Sequence, residues 1–352
     1  MYAPLFERAS PMSKPEYPVV DIVSSDGVQF PVRKSLLSLA SPVFSDMFSV
    51  PQPNSSPDSD APTDPINLSE PSRTIKLILS LVDSPPTSLL IDSLSDIANL
   101  LQAADKYDIK AIQEHALHSL IQPKFLENEP LRVYAIAIRY GAHYTAVLAA
   151  RHTLRYPLLH AEYFSELEIV DGGMIYRVLH YHKQCTAAAL EVATNHTWIR
   201  EEYVFFNCPE ADSSEDDEDD EENNKGSETC TTTIRTRPSN KHKNGYLKFV
   251  SVHPWWTKFM ASTKVALSES TYSETIRDRS RIIEALSSAS QCSRCHRQVN
   301  SDFSKFLDTF VNEVEARVNE VSTYVPLSAD PVILWIYTDL IDYKLILLSL
   351  RQ

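Results

Sequence analysis

The feature that most constrains the fold is a hairpin pattern close to the N-terminus. Val19–Val23 is rich in β-branched residues, and Asp26-Gly27 follows it as a turn typical of β-hairpins. Residues 28–32 then alternate between apolar and other side chains, which predicts a second strand with one buried face. Pro31 has no backbone N–H to donate, so this strand is expected to lie at the edge of its sheet or to leave its N–H side unpaired.

Short helices are predicted directly after the hairpin. Lys34–Leu39 is the first, and Ser41-Pro42 starts a second, because serine is a good N-cap and proline suits the first helical position. Further apolar stripes predict a brief strand at 66–68 and helices at 71–82, 95–107 and 110–121. A small sheet wrapped by short helices is an α+β arrangement.

In this order and spacing, the motifs resemble the opening of a BTB/POZ domain. The matching stretches are Val20–Val23, Ser25–Gly27, Phe30–Lys34, Leu36–Phe44, Met47-Phe48 and the Ala-Ala-Asp-Lys-Tyr sequence at 103–107. The resemblance covers about residues 17–121 and is closest to the BTB proteins of mushroom-forming fungi. A weaker likeness to that fungal group extends to 181–185, 254–256 and 292–295.

The resemblance implies association with other proteins. Domains of this family form homodimers or hetero-complexes, and they often serve as substrate adaptors for cullin-based ubiquitin ligases. Asp21 and Arg33 or Lys34 match positions that line a charged groove in some transcriptional BTB domains, although Asp21 alternatively caps or orients the hairpin. The candidate interaction residues are Asp21, Arg33, Lys34, Phe44, Met47 and Phe48.

Two departures from the family pattern bear on its partners. Cullin-binding members usually carry a hydrophobic-x-Glu motif after the helix that contains Met47-Phe48, but residues 51–65 form a Pro-, Ser- and Asp-rich loop without it. Leu68–Glu70 has the pattern in a different element. The N-terminal arm also lacks the helix that seals many BTB dimers.

The rest of the chain is predicted to be mainly α-helical. The expected organisation is a flexible arm at 1–16, the BTB/POZ domain at 17–121, a helical region at 122–208, a disordered acidic and polar loop at 209–245, a helical region that continues the second domain at 246–330, and an apolar C-terminal segment at 331–352. The clearest later helix is 302–324, where an apolar stripe lies opposite charged residues.

Charge and cysteine content narrow the class of protein. The formal net charge is −14, but the unbroken acidic run Glu215–Glu222 accounts for most of it, and no basic face for binding nucleic acid directly is visible. The five cysteines are odd in number and no secretory signal precedes them, which predicts a cytoplasmic or nuclear location. The chain has no Gly-rich phosphate loop, no Gly-x-Ser-x-Gly and no His-Glu-x-x-His, so enzyme signatures are missing.

The C-terminal segment is the most apolar part of the chain. Asp339, Asp342 and Lys344 interrupt it, and each would cost about 2.5–3.5 kcal/mol near the centre of a bilayer. A buried helix or strand is therefore predicted, and no membrane partner is expected. A tail anchor, or a segment foreign to the native fold, stays open as an alternative.

Two cysteine motifs predict a structural zinc site. Cys292-x-x-Cys295 has the spacing of a zinc half-site, and His182 and Cys185 lie at i, i+3 on one helical face. The predicted ligands are Cys185, Cys208, Cys292 and Cys295, with His182 or His296 as substitutes. The alternative is unconnected thiols with Cys185 in the core. A c-type haem attachment motif at 292–296 has no other support.

Three further segments have two interpretations each. Residues 255–260, with two tryptophans, are predicted to pack in the core, with a partner hot spot as the alternative. The acidic run follows Ser213-Ser214, a pattern suited to an acidophilic kinase, and is either a solvated loop or a site for basic partners such as histones. Arg235–Lys243 is a weak nuclear-import candidate.

The sequence therefore predicts a non-enzymatic protein-interaction adaptor that acts through a BTB domain. Its expected partners are proteins, including a second copy of the chain and a cullin whose ubiquitin ligase receives the recruited substrate. The first alternative is a nuclear transcription-associated BTB protein whose acidic loop engages basic partners. The second is a metal-dependent or redox protein.

Overall fold

A computed structural model describes residues 18–50, 64–83, 91–158, 161–199, 232–236, 248–291 and 293–321. The chain divides into two compact units. Among the described residues, the N-terminal unit extends to His152 and includes Tyr163–Val170, whereas the C-terminal unit contains 153–158, 161–162 and those that follow Val170. Three predicted features lie outside the described residues: the arm at 1–16, the acidic run and the apolar segment at 331–352.

The N-terminal unit is built around a three-stranded sheet. The central strand β1 (Val19–Val23) pairs antiparallel with β2 (Gln29–Arg33) and parallel with β3 (Ile66–Asn67). Gly27, in the turn between β1 and β2, adopts a φ of 81°, a conformation that glycine takes without strain. The predicted hairpin and the short third strand are confirmed.

Pro31 lies where it costs the sheet no hydrogen bond. The backbone N–H of Lys34 donates to the carbonyl of Pro18 at 3.0 Å, and Val20 lies opposite Val32 in the register. Hydrogen-bonded positions alternate along an antiparallel pair, so the backbone of Pro31 faces the outer edge of the sheet. Since β2 is the edge strand, its missing donor leaves the ladder intact and discourages further strand pairing.

Helices make up the rest of the described N-terminal unit. They are α1 (Lys34–Ala40), α2 (Pro42–Ser49), α3 (Ser72–Asp83), α4 (Leu94–Lys106), α5 (Lys110–Ser119), α6 (Pro123–Asn128), α7 (Pro130–Arg139) and α8 (His143–Thr153). The central one is α4, where Ile97, Leu100 and Leu101 are completely buried. The compact unit thus continues past residue 121 and takes in α6, α7 and most of α8.

An ion pair between the exposed Arg73 and the buried Asp96 joins α3 to α4. Arg73 donates from Nε and Nη2 to the two carboxylate oxygens of Asp96 at 2.7 and 2.6 Å, and the hydroxyl of Ser93 donates to Asp96 at 2.8 Å. The hydrogen bond from Arg73 is the largest of the effects that lower the pKa of Asp96, and burial acts in the opposite direction. Asp96 is only 6% exposed, so its charge depends on these partners.

The C-terminal unit is a helical assembly with one strand pair. Its helices are α9 (Gly172–Thr194), α10 (Pro254–Glu269), α11 (Arg279–Ser290) and α12 (Ser293–Glu320), and its strands are β4 (Thr232–Thr236) and β5 (Lys248–Val252), which pair antiparallel. Aromatic rings fill its core: Trp198 stacks on Phe306 and Phe310 with ring centroids 5.9 and 5.2 Å apart. Trp255 and Trp256 are buried beside them, which confirms the core-packing interpretation of residues 255–260.

Strand β4 is a difference from the sequence-based expectation. The stretch 209–245 was expected to be disordered, yet Thr232–Thr236 forms a strand, and the rest of that stretch lies outside the described residues. The reason is local composition. Three threonines and Ile234 are β-branched, and they pair with the equally strand-prone Lys248–Val252.

No helix within the described ranges is long and apolar enough to cross a membrane.

Removal of one ring from the aromatic core should destabilise the C-terminal unit. The Phe306 side chain is fully buried, so Phe306→Ala is expected to lower the free energy of unfolding of this unit by about 3–5 kcal/mol. Urea denaturation followed by tryptophan fluorescence measures this, because Trp198, Trp255 and Trp256 lie in the unit. Val265→Ala, at a 61% exposed position, is the control and should change stability by less than about 0.5 kcal/mol.

Candidate protein-interaction surfaces

Ser41 fixes the start of α2 to the end of α4. It is completely buried, its Oγ donates to the backbone carbonyl of Tyr107 at 2.5 Å, and the same oxygen accepts from the N–H of Phe44 at 3.1 Å. Pro42 occupies the first helical position, as the sequence predicts. The Ser-Pro motif therefore caps α2 and also anchors it to the interior.

Helix α2 has apolar side chains on two faces. On the inner face, the ring of Phe44 stacks on Tyr107 with centroids 4.8 Å apart, and Phe44 is only 2% exposed. On the outer side, Val43, Met47 and Val50 follow one another at i, i+4 and i+7, with exposures of 37%, 36% and 61%. Of the candidate residues on this helix, Met47 is therefore at the surface, whereas Phe44 supports that surface from beneath.

The candidate charged residues lie on or next to the hairpin. Asp21 and Arg33 are exposed and occupy the same face of the sheet, opposite Pro31 and Val19 respectively in the register. Lys34 extends toward α2, where its Nζ lies 5.8 Å from the ring centroid of the half-buried Phe48. Lys34 and Phe48 are thus brought together.

An apolar groove in the same unit was missed by the sequence analysis. It has a volume of about 230 Å³ and is lined by Leu36, Leu39 and Ala40 of α1, Leu81 and Val82 of α3, and Ile109, Ala111, Ile112 and His115 at and within α5. Leu39, at this groove, is 88% exposed. A faint signal exists in α1, where Leu37 alone is buried while Leu36 and Leu39 lie at i, i+3 on another face.

His115 adds one polar group to the groove. Its Nε2 atom is buried and makes no hydrogen bond within the described part of the chain. A buried ring nitrogen without a partner is costly. Apart from the His115 ring, the side chains that line the groove are apolar.

Glu70, the last residue of the displaced hydrophobic-x-Glu pattern, is engaged inside the unit. Its carboxylate accepts from the hydroxyl of Tyr107 at 2.5 Å and from Nζ of Lys106 at 2.9 Å. Burial by itself would raise the pKa of Glu70, but these two hydrogen bonds outweigh it and lower the pKa. Burial is the largest cause that raises the pKa of Tyr107 to about 12, and the hydrogen bond to Glu70 is the second. The carboxylate of Glu70 is therefore used in hydrogen bonds within the N-terminal unit.

The structure describes only part of the predicted zinc site. Cys185 on α9 and Cys295 on α12 are both buried, whereas His296 is exposed and Cys208 and Cys292 lie outside the described residues. His182 Nε2 lies 2.8 Å from Oγ1 of Thr153. Among the residues described, no three metal-binding side chains come together. The four-cysteine site stays a prediction.

The hairpin and the surrounding helices form an α+β unit. Residues 11–124 match the family model of the BTB/POZ domain. The N-terminal part of the chain is therefore a BTB/POZ domain, a type of protein-interaction module. A comparison with curated proteins finds no match to the chain.

The half-buried His182 on α9 should make the C-terminal unit sensitive to acid. Burial lowers the pKa of His182 from 6.5 to about 4, and the hydrogen bond with Thr153 opposes this only in part. The unfolded chain therefore binds the proton first. The stability contributed by neutral His182 is complete above about pH 6.5 and is lost as the pH falls toward 4, by up to about 3 kcal/mol.

Urea denaturation between pH 7 and pH 4.5 measures this loss, and His182→Gln should reduce its slope. Burial also lowers the pKa of His196, which contributes with the same sign, so some pH dependence should persist in the variant. An unchanged slope in His182→Gln would show that His182 is not the titrating group.

Proposed function

We propose that this chain is a non-enzymatic adaptor whose N-terminal unit holds a partner protein at the apolar groove formed by α1, α3 and α5. The observation that carries the proposal is the exposure of Leu39, 88%, beside a groove with almost wholly apolar walls. A leucine left in water adds nothing to folding, whereas its burial by a partner contributes about 1.5–3 kcal/mol to binding. Single exposed apolar residues are ordinary, but one placed at an apolar groove supports a binding role.

The size of the groove favours a protein segment over a cofactor. Its volume of about 230 Å³ falls below the roughly 300–1,000 Å³ of small-molecule sites. It suits one or two apolar side chains from a partner. A stable complex needs roughly 800 Å² of surface from each partner, so the groove would form the centre of a larger contact.

The proposal extends to the lineage and the partner. The chain is proposed to be a BTB protein of the type found in mushroom-forming fungi, acting in the cytoplasm or nucleus, dimerising through its BTB domain and recruiting substrates to a cullin ligase. Because Glu70 is engaged with Tyr107 and Lys106, the cullin is proposed to contact the outer side of α2 at Val43, Met47 and Val50. The alternative, a nuclear transcription-associated role, is supported by sequence patterns alone.

Loss of the groove's exposed leucine should weaken partner binding without harming the fold. Leu39→Asp places a charge at the groove, and binding of the partner is expected to fall about tenfold or more. Since Leu39 is 88% exposed, the unfolding midpoint should stay within about 2 °C of that of the unaltered chain. The measurement is quantitative co-purification of the full chain, with cullins and chromatin proteins scored separately.

The matched control is Val265→Asp, which adds the same charge at a 61% exposed aliphatic position of the C-terminal unit. Met47→Asp tests the outer side of α2. If a cullin co-purifies with Val265→Asp but not with Met47→Asp, the result supports the ligase role. If the partners of Leu39→Asp and of Val265→Asp are identical in kind and amount, the groove is not a docking site.

A further inference from the structure

A second cleft lies in the N-terminal unit, away from the groove. It has a volume of about 170 Å³ and is bounded by α4, by α7 and by the 3-10 turn at Ser165–Glu168 with the residue that follows. We propose that this cleft binds a short acidic peptide segment of a partner protein, one in which a carboxylate side chain neighbours an aliphatic one. The site shares no lining residue with the groove, so it does not depend on the groove's being occupied.

The two helices that line the cleft contribute residues at a regular spacing. From α4, Ser95, Asn99 and Gln102 line it at i, i+4 and i+7, which places all three on one face of the helix. Across the cleft, α7 contributes residues at the same spacing, namely Arg132, Ile136 and Arg139, followed by Tyr140. The cleft is thus lined by side chains from one face of each helix.

Arg132 is fully engaged and holds the cleft's shape. Its Nε donates to both carboxylate oxygens of Glu166 at 3.1 Å, and its Nη2 donates to Glu166 at 2.8 Å and to Ser95 at 2.9 Å. Its Nη1 donates to Glu129 at 3.2 Å. Burial would lower the pKa of Arg132, but these carboxylates raise it. Arg132 and Glu166 therefore neutralise one another and join α7 to the turn.

Arg139 is the cation that remains available in the cleft. Its guanidinium carbon lies 5.6 Å from the ring centroid of Tyr140, and no carboxylate within the described residues is in ion-pair distance of it. A guanidinium that rests on an aromatic face keeps its N–H edge open for a planar, bidentate contact with a carboxylate. Glu129 and Glu166 both bond Arg132, so the two arginines and two carboxylates of the cleft region sum to zero charge. The preference for a carboxylate therefore comes from the guanidinium of Arg139, which no carboxylate of the described residues pairs.

The other side chains that line the cleft determine which peptide groups can lie beside the bound carboxylate. Asn99 and Gln102 are exposed and make no side-chain hydrogen bond within the described part of the chain, so each offers a donor and an acceptor to a peptide backbone. Ile169 is 54% exposed at the rim and would cover an aliphatic side chain. The volume, below that of a small-molecule site, limits the bound portion to one or two residues.

Fluorescence anisotropy of the full chain with labelled peptides tests the proposal. The probe is fluorescein-labelled Ala-Leu-Glu-Leu-Glu-Ala with blocked ends, and its counterpart has glutamine in place of each glutamate. The unaltered chain should bind the glutamate peptide at least tenfold more tightly. Arg139→Glu should weaken that binding about tenfold, and Ile169→Ser, at an exposed position, should weaken it less.

Arg151→Glu is the matched control, because Arg151 is an exposed arginine of α8 outside the cleft and the charge change is the same. It should bind like the unaltered chain, as should Leu39→Asp, which separates this site from the groove. The proposal is overturned if the unaltered chain does not bind the glutamate peptide at millimolar concentration, if both peptides bind equally, or if Arg139→Glu and Arg151→Glu have the same affinity.

Discussion

Tyr107 is the residue on which the N-terminal unit depends. It ends α4, its carbonyl accepts the hydroxyl of Ser41, its ring stacks on Phe44 and its own hydroxyl donates to Glu70. One side chain and one peptide group thus join α4 to the start of α2 and to the segment that follows β3. Because Tyr107 is only 4% exposed, each of these polar contacts is needed to satisfy a buried group.

This arrangement separates the residues that make the domain recognisable from those that a partner can touch. Phe44, Glu70 and Tyr107 belong to conspicuous sequence patterns, and all three are used to hold the interior together. The surfaces that remain for a partner are less conspicuous: Leu39 at the groove and the outer side of α2. The domain can therefore keep its fold while its exposed residues change, because stability and recognition use different side chains.

The C-terminal unit is held together differently. Its interior is a cluster of aromatic rings from α10, α12 and Trp198, with few buried charges. Its polar links include the hydrogen bond that the hydroxyl of the buried Ser273 donates to Glu315 at 2.8 Å. Burial lowers the pKa of the half-buried His182 and His196. This unit therefore gains its stability mainly from apolar burial, and protonation of these two rings opposes it.

The sequence by itself determined the local elements of this protein. The period of two in 28–32, the Asp26-Gly27 turn and the Ser41-Pro42 cap each act within a few residues, so they specify the hairpin and the start of α2 without reference to the rest of the chain. The sequence pattern does not predict the short strand β4, because its β-branched residues are mostly polar threonines within a polar stretch.

Only the tertiary structure decided which side chains face a partner. The groove combines α1, α3 and α5, and the cleft combines α4 with α7 and the turn at Ser165–Glu168, so each joins segments that are far apart in the sequence. The sequence shows that Phe44 and Leu39 are apolar. It does not show that Phe44 is covered by Tyr107 while Leu39 is exposed to water. Burial depends on what packs against a face, and that is a property of the folded chain.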